Sequence, residues 1–220
     1  MKIVALTDIH GQLRFLDQVA SILSSADLIL LVGDITTFGR EEVASQVISA
    51  IRQHNAHILA VPGNTDYPEV RDYLKQEGIN LHRSHITIEG ITFIGLGGAL
   101  PAPAKTPYEF TEGQLGAFLR EASAQLPPDT TKVLVSHQPP QGTLLDIVHS
   151  GQHVGSRAVR DFILQEQPLV CFTGHIHESP GIDSLGQTQI INPGPFAYGN
   201  YAYAEINGGK LELLEIRSCS

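Results

Sequence analysis

Residue types that bind metal ions occur at five places in the sequence, each directly after a short apolar run. The first and last of these places carry two such residues each, and the residues are Asp8, His10, Asp34, Asn64, His137, His175 and His177. Carboxylate, imidazole and amide groups together suit divalent ions of intermediate hardness such as Mn²⁺, Fe²⁺ or Zn²⁺. Seven ligands exceed what one such ion with an open coordination position needs. They fit two ions that share a bridging carboxylate.

Two metal ions about 3.5–4 Å apart activate a water molecule and clamp the oxygens of a phosphoryl group. Taken singly, each motif is weak, because an Asp-x-His pair or a Gly-Asn turn is more often structural than functional. The five motifs in this order are hard to explain by structure alone. A Ser-His-Asp site or a phosphate-binding P-loop explains the same residues less well, and we interpret residues 96–98 as a strand-end turn.

The apolar runs that must position these residues are rich in β-branched side chains. They are Ile3–Leu6, Leu28–Val32, Ile58–Val61, Val133–Val135 and Leu169–Phe172. Continuous apolar sequence predicts strands that are buried on both faces, and hence a sheet with helices on both sides. The carboxyl ends of such strands are where α/β sheets bind ligands. The pattern therefore predicts one site at this edge.

Helical periodicity and capping residues predict the elements between the strands. Apolar residues recur at helical spacing over 15–23 and 43–51, Pro68 suits the first helical position, and Thr111 with Gln114 and Ser156 suit helix caps. Two hairpins are predicted over 86–94 and 201–216, around Glu89-Gly90 and Asn207-Gly208-Gly209. Mixed strand signals of this kind predict a two-sheet α/β sandwich. The Pro-rich segment Pro101–Pro107 is interpreted as a long surface loop and a candidate wall of the active site.

Composition narrows the class of protein. The 220 residues, 42% hydrophobic and 17% charged, fit one globular domain over 1–220. A net charge of −9 without basic runs argues against a protein that follows a nucleic-acid backbone. We expect no membrane span, because no run approaches the ~20 apolar residues it needs. Without a signal-peptide pattern, and with only Cys171 and Cys219, the chain is expected to be cytoplasmic.

The order Asp-x-His, Gly-Asp, Gly-Asn-x-Asp, His and Gly-His-x-His over residues 8–177 resembles the calcineurin-like metallophosphoesterase superfamily. Segments 136–140, 153–156, 174–178 and 191–194 also resemble its small bacterial and archaeal members. The resemblance implies a metallo-dependent phosphatase-like fold, in which a two-sheet β-sandwich is flanked by helices in four layers, α/β/β/α.

The resemblance also implies a role for each ligand. Asp34 would bridge the two metals. Asp8, His10 and His177 would complete the first metal site, and Asn64, His137 and His175 the second. A hydroxide between the metals would attack phosphorus in line with the leaving group, and the two cations would stabilise the charge of the transition state.

Thr65 departs from this family's pattern. Many members have a histidine after the Gly-Asn pair, and that histidine contacts the phosphate and protonates the leaving alkoxide. A threonine hydroxyl is a poor general acid at neutral pH. Asp66 would then lose the histidine it orients and support a ligand imidazole instead. His153 is our candidate for a replacement acid, although a structural loop histidine is an equal alternative.

The sequence thus predicts a phosphodiesterase or phosphatase that acts on a small phosphoester with two divalent ions. Mn²⁺ is the first choice, with Fe²⁺, Zn²⁺ and Ni²⁺ as alternatives. A catalytically weak metal-binding scaffold for protein interaction is the main alternative function, and a nuclease is less favoured because of the acidic charge. A homo-oligomer is left open. We assign no catalytic part to His54, His57, His82 or His85.

Overall fold

Strands and helices alternate along most of the chain, as the apolar runs predict. The structure, a computed structural model, describes residues 1–127 and 130–219. The strands are β1 (Lys2–Leu6), β2 (Leu28–Val32), β3 (Ile58–Val61), β4 (Ser84–Ile88), β5 (Ile91–Leu96), β6 (Thr131–Ser136), β7 (Val170–Phe172), β8 (Gly181–Leu185), β9 (Thr188–Asn192), β10 (Asn200–Asn207) and β11 (Lys210–Ser218). The helices are α1 (Leu16–Ser25), α2 (Glu41–Arg52), α3 (Pro68–Gln76), α4 (Glu112–Ala122) and α5 (Arg157–Glu166), and a short 3₁₀ helix spans Phe196–Tyr198.

The first sheet joins the two ends of the chain. Its strand order is β11-β10-β1-β2-β3, in which β1 pairs parallel with β2 and antiparallel with β10. The β10–β11 hairpin of residues 200–218 therefore completes the sheet that β1 begins. Because strands from both ends share one ladder, we propose that residues 1–220 form a single domain.

The second sheet has the order β4-β5-β6-β7-β9-β8. Its centre is parallel, and the antiparallel pairs β4–β5 and β8–β9 form its two edges. The β8–β9 hairpin was missed by the sequence analysis. The available signal in the sequence was the glycine at position 186, which forms the turn with a φ of 63°.

The two sheets pack face to face, and helices cover both outer faces. Ile3 and Ala5 of β1 lie in the core between the sheets, against Phe93 and Phe172. Val4, between them, faces the opposite way, into a core shared with α1, α2 and α3. A third core packs α4 and α5 on the second sheet. Both faces of the central strands are thus buried, which explains their continuous apolar sequence and confirms the predicted four-layer α/β/β/α fold.

The predicted helix caps are present. Pro68 is the first residue of α3, and Thr111 and Gln114 form the capping box of α4. The Ser156 hydroxyl accepts the Val159 N–H at the start of α5, 3.2 Å away. Over the described ranges, no helix combines the length and apolarity that a bilayer crossing requires.

Candidate metal centre

All seven predicted ligand residues come together at the carboxyl ends of β1, β2, β3, β6 and β7. Ligand atoms of Asp8, His10 and His177 lie within 4.8 Å of one another, as do those of Asp8, Asp34 and His137. Asn64 and His175 lie beside His137. We call Asp8, His10 and His177 the first group, and Asn64, His137 and His175 the second group. The parallel strands end at a common edge, so residues far apart in sequence meet there.

The first group contains Asp8, His10 and His177. His177 Nε2 lies 3.1 Å from Asp8 Oδ1 and 3.4 Å from His10 Nε2. Asp8 is buried and its other oxygen accepts the Thr7 hydroxyl at 2.7 Å and the His175 N–H at 3.2 Å. These bonds fix the carboxylate, so that Oδ1 is directed at the two imidazoles.

The second group contains Asn64, His137 and His175. His137 Nε2 lies 3.0 Å from Asn64 Oδ1, and the rings of His137 and His175 are 5.2 Å apart between centroids. His137 is fully buried, and its Nδ1 donates to the Val32 carbonyl at 2.8 Å. In the neutral imidazole, this bond leaves a lone pair on Nε2.

The residues of this second group fit a cation. Asn64 Nδ2 donates to Thr106 Oγ1 at 3.1 Å, so Oδ1 is the end of the amide that faces His137. Nε2 of His137 is also 3.5 Å from Asp34 Oδ1. A nitrogen lone pair and two oxygens thus converge without a hydrogen between them, and a cation bound there would relieve the repulsion between these three atoms. In the first group, the buried His10 Nδ1 has no hydrogen-bond partner within the described ranges.

Four of the seven residues have a left-handed backbone. The φ angles are 52° for Asp8, 51° for His10, 48° for Asp34 and 70° for His175. This region is uncommon for residues other than glycine and costs on the order of 1–3 kcal/mol each. The chain therefore turns sharply after β1, β2 and β7, and these turns direct the side chains into the cleft. Asp8 and His10 thus face the same site because the chain turns after β1, and not because the strand continues through them.

Two glycines make room for the carboxylates. A Cβ atom on Gly63 would overlap Asp34 Oδ1 and the Asp34 N–H, and one on Gly174 would overlap Thr7 Oγ1 and crowd Asp8 Oδ2. The Gly-Asn and Gly-His motifs thus need glycine for close approach rather than for a left-handed backbone, since neither residue has a positive φ.

The ionisation states suit ligands. Burial raises the pKa of Asp8, but the hydrogen bond from His177 and the nearby imidazoles outweigh it and hold the pKa well below its usual range. The same hydrogen bond raises the pKa of His177. Burial lowers the pKa of His175 to about 4. At neutral pH, Asp8 is a carboxylate and His175 is a neutral imidazole, the forms that bind metal ions.

Asp66 bonds backbone groups and a hydroxyl rather than a ligand imidazole, so its predicted support of an imidazole gains no evidence. Its carboxylate is fully buried and accepts the N–H groups of Ile35, Thr36 and Gly63 at 2.8–3.1 Å. It also accepts the Thr36 hydroxyl at 2.8 Å. Burial, followed by the charge of Asp34, raises its pKa to about 6. Asp66 thus holds together the two loops that carry Asp34 and Asn64.

Thr65 and His153, the other two candidates, are engaged elsewhere. The Thr65 hydroxyl donates to the Thr36 carbonyl at 2.7 Å, while its N–H donates to Asp34 Oδ1 at 2.9 Å. His153 Nδ1 bonds the buried Asp146 carboxylate at 2.8 Å. Its side chain is 45% exposed, and Asp146 belongs to the loop before α5 rather than to the ligand group. The structure therefore gives no support to His153 as the general acid.

Thr106 and Glu109 were missed by the sequence analysis. Glu109 Oε1 accepts both the N–H and the hydroxyl of Thr106 at 2.7 Å, and the hydroxyl oxygen in turn accepts Asn64 Nδ2. Both residues lie on or just after the Pro-rich segment Pro101–Pro107, which was predicted as an active-site wall. A Thr-x-x-Glu pair at the end of such a loop was the only available signal.

The sequence of this chain is similar to those of known metal-dependent phosphoesterases. The model of the family described as calcineurin-like phosphoesterase matches residues 1–179. Protein MJ1162 of Methanocaldococcus jannaschii is 38% identical over 205 residues, which cover 91% of each chain. The family predicted from the sequence is thereby confirmed.

Two solved structures share the fold. The structure of TT1561 from Thermus thermophilus has a TM-score of 0.77 at 20% identity, with 100% of this chain and 99% of the other covered. A dimetal phosphatase from Danio rerio has a TM-score of 0.65 at 13% identity, with the same coverage. At these identities, the likeness establishes the architecture alone.

Proposed function

Because the chain belongs to the calcineurin-like phosphoesterase family and is a metal-dependent phosphoesterase, we propose that it holds two divalent ions bridged by Asp34. The proposal is carried by the placement of this carboxylate. Its Oδ2 lies 3.8 Å from His10 Nε2, and its Oδ1 lies 3.5 Å from His137 Nε2. One oxygen therefore faces each group of ligands.

Asp8, His10 and His177 would hold one ion, and Asn64, His137 and His175 the other. When bound, the ions supply a nucleophile at neutral pH and stabilise negative charge on the phosphoryl oxygens. The chain's own contribution is to fix the ligands: Val32 sets the tautomer of His137, and Thr65 N–H holds Asp34. Mn²⁺ is our first choice of metal, with Fe²⁺, Zn²⁺ and Ni²⁺ as alternatives.

We propose a small phosphodiester or phosphomonoester as the substrate, with a leaving group that needs little protonation. The support is the hydrogen bond from the Thr65 hydroxyl to the Thr36 carbonyl, which commits the only proton of that hydroxyl. A poor general acid slows the departure of alkoxides far more than that of phenoxides. The acidic charge of −9 supports a small substrate rather than nucleic acid.

A reducing, cytoplasmic setting remains part of the proposal. It is supported by Cys171 and Cys219, both of which are free thiols in the structure.

The test is reconstitution. Protein stripped with a chelator and loaded with Mn²⁺ should hydrolyse an aryl phosphodiester or an aryl phosphomonoester. Asp34→Asn keeps the side-chain shape and should reduce the bound metal measured by elemental analysis. It should lower kcat/KM by at least about 10²-fold, the upper end of the loss caused by removing a group that only supports a ligand. Asp17→Asn, on the exposed face of α1, is the matched control.

Three outcomes would count against the proposal. Turnover that survives Asp34→Asn would exclude the bridging role. An absence of turnover with all four metal ions would favour the scaffold alternative. Rapid cleavage of DNA would favour a nuclease.

A further inference from the structure

A cavity of about 340 Å³ opens beside His175, one of the proposed metal ligands. Residues 100–103 contribute one part of its lining, and Val148, Gln152 and Val154 contribute another. We call this cavity the apolar cleft. Its volume lies at the lower end of the range for small-molecule sites.

The apolar cleft is preformed, because one buried amide joins its two sides. Gln138, which is fully buried, accepts the Leu100 N–H on Oε1 at 2.8 Å. Its Nε2 donates to the Val154 carbonyl at 3.1 Å. The separation of the two lining segments is thus set by a side chain that does not need a ligand to order it.

The loop that lines the apolar cleft is also tied to the metal centre. Glu109 Oε1 accepts the N–H of Ala102 at 3.3 Å as well as that of Thr106 at 2.7 Å. Thr106 in turn bonds the Asn64 amide. A group in the cleft and a phosphoryl group at the metals would therefore be held at a fixed separation.

The cleft offers few partners for hydroxyl groups. Among the described residues of its lining, the polar side chains besides His175 are Gln138 and Gln152. Gln138 is buried and engaged with backbone on both sides, and Gln152 is exposed. A sugar or glycerol moiety placed here would lose hydrogen bonds to water without replacing them, whereas an apolar group would gain from burial.

We propose that the apolar cleft binds an apolar organic group, aryl or branched alkyl, of the phosphoester substrate. This inference rests on the proposed function, which places the phosphoryl group at His175 and the other ligands. It selects esters of apolar alcohols and phenols over esters of sugars and glycerol.

Binding of inert analogues to the Zn²⁺-loaded protein tests the inference without turnover. Phenylphosphonate and methylphosphonate present the same phosphonate to the metals and differ in the apolar group. Calorimetry should show phenylphosphonate binding about tenfold more tightly or better. The amide ¹⁵N chemical shifts of Leu100 and Val154 should change when phenylphosphonate is added and should not change when methylphosphonate is added.

Two alanines of one loop supply matched variants. Ala102 lines the cleft, while the exposed Ala104 does not. Ala102→Trp should fill the cleft and abolish the preference for phenylphosphonate, and Ala104→Trp should keep it. Unchanged methylphosphonate affinity shows that each variant is folded. If Ala102→Trp does not fold, Val148→Asp, which places a charge in the cleft, should lower the preference at least tenfold.

The outcomes separate the two proposals. Equal affinity for both phosphonates in the wild type overturns the apolar cleft as a substrate site and leaves the metal centre standing. A preference that persists in Ala102→Trp or in folded Val148→Asp also overturns it. Binding of neither phosphonate contradicts the proposed function, and the inference falls with it.

Discussion

The Asn64 amide nitrogen donates to the Thr106 hydroxyl oxygen, 3.1 Å away, and this bond decides which end of the amide faces His137. Because the hydroxyl proton of Thr106 is donated to Glu109 at 2.7 Å, the hydroxyl oxygen is left as an acceptor for Asn64. The chain from Glu109 through Thr106 thus aims Asn64 Oδ1 at the proposed second metal site.

Thr106→Val should break this chain without changing the side-chain shape. The Asn64 amide would be free to rotate, and the affinity of one of the two Mn²⁺ sites should fall about 10–100-fold. Thr106→Ser keeps the hydroxyl and should bind both ions normally. Calorimetric titration of the metal-free protein with Mn²⁺ measures both sites. Equal affinities in the valine and serine variants would exclude this orienting role.

Gly63→Ala should disrupt metal binding by displacing Asp34, since the added Cβ would overlap the carboxylate oxygen and the backbone N–H of that residue. Gly113→Ala is the matched control, because its Cβ meets no atom closer than 4.0 Å and alanine favours the helix. We expect loss of bound metal for Gly63→Ala alone. Normal metal content in Gly63→Ala, measured by elemental analysis, would show that the close approach is dispensable.

The stability of the metal-free protein should depend on pH through His82. The Gly97 N–H donates to His82 Nδ1 at 2.7 Å, and burial lowers the pKa of His82 from 6.5 to about 3. Between these values, the unfolded chain binds a proton that the folded chain does not. The stability contributed by neutral His82 is therefore present above pH 6.5 and is lost as the pH falls towards 3.

His82→Gln should flatten this dependence, since Gln does not titrate. The slope of the unfolding free energy between pH 6 and 4 should decrease by up to about 1.4 kcal/mol per pH unit. Chemical denaturation in a chelator measures the slope, and His57→Gln, at an exposed position, is the control. Parallel curves for wild type and His82→Gln would contradict the assignment.

Thr65→Val tests whether the Thr65 hydroxyl is structural. Loss of its bond to the Thr36 carbonyl should cost about 1 kcal/mol of unfolding free energy. The dependence of kcat on leaving-group pKa, measured over a series of aryl phosphoesters, should keep its slope, because the hydroxyl proton is not directed at the substrate. A steeper slope in Thr65→Val would identify the hydroxyl as the proton donor instead.

The strands and helices were predicted well because their burial is written into local sequence. Both faces of β1, β2 and β3 pack on cores, which forces continuous apolar runs. The β8–β9 hairpin was missed because it forms one edge of the second sheet, where Gly181–Leu185 is only partly buried and its pattern is weak. An edge strand buries fewer side chains, so its sequence shows a weaker alternation of apolar and polar residues.

The parts played by Asp66 and His153 were not predictable in the same way. A short motif gives the spacing of Asp66 from Asn64, but two of the three N–H groups that Asp66 accepts belong to Ile35 and Thr36, about thirty positions away. His153 likewise bonds Asp146 instead of facing the ligand groups, and this pairing depends on the conformation of the loop that carries both residues. Such pairings depend on backbone turns, which side-chain types alone do not specify.

By itself, the sequence determined the fold class, the family and the identity of the seven candidate ligands, since strand ends and metal-binding side chains are local features. Only the tertiary structure decided that Asp34 lies between the two groups, that Thr106 orients Asn64, and that an apolar cleft adjoins His175. These relationships join atoms from strands and loops distant in the chain. They follow from how two sheets pack and where their connecting loops turn, which no local pattern encodes.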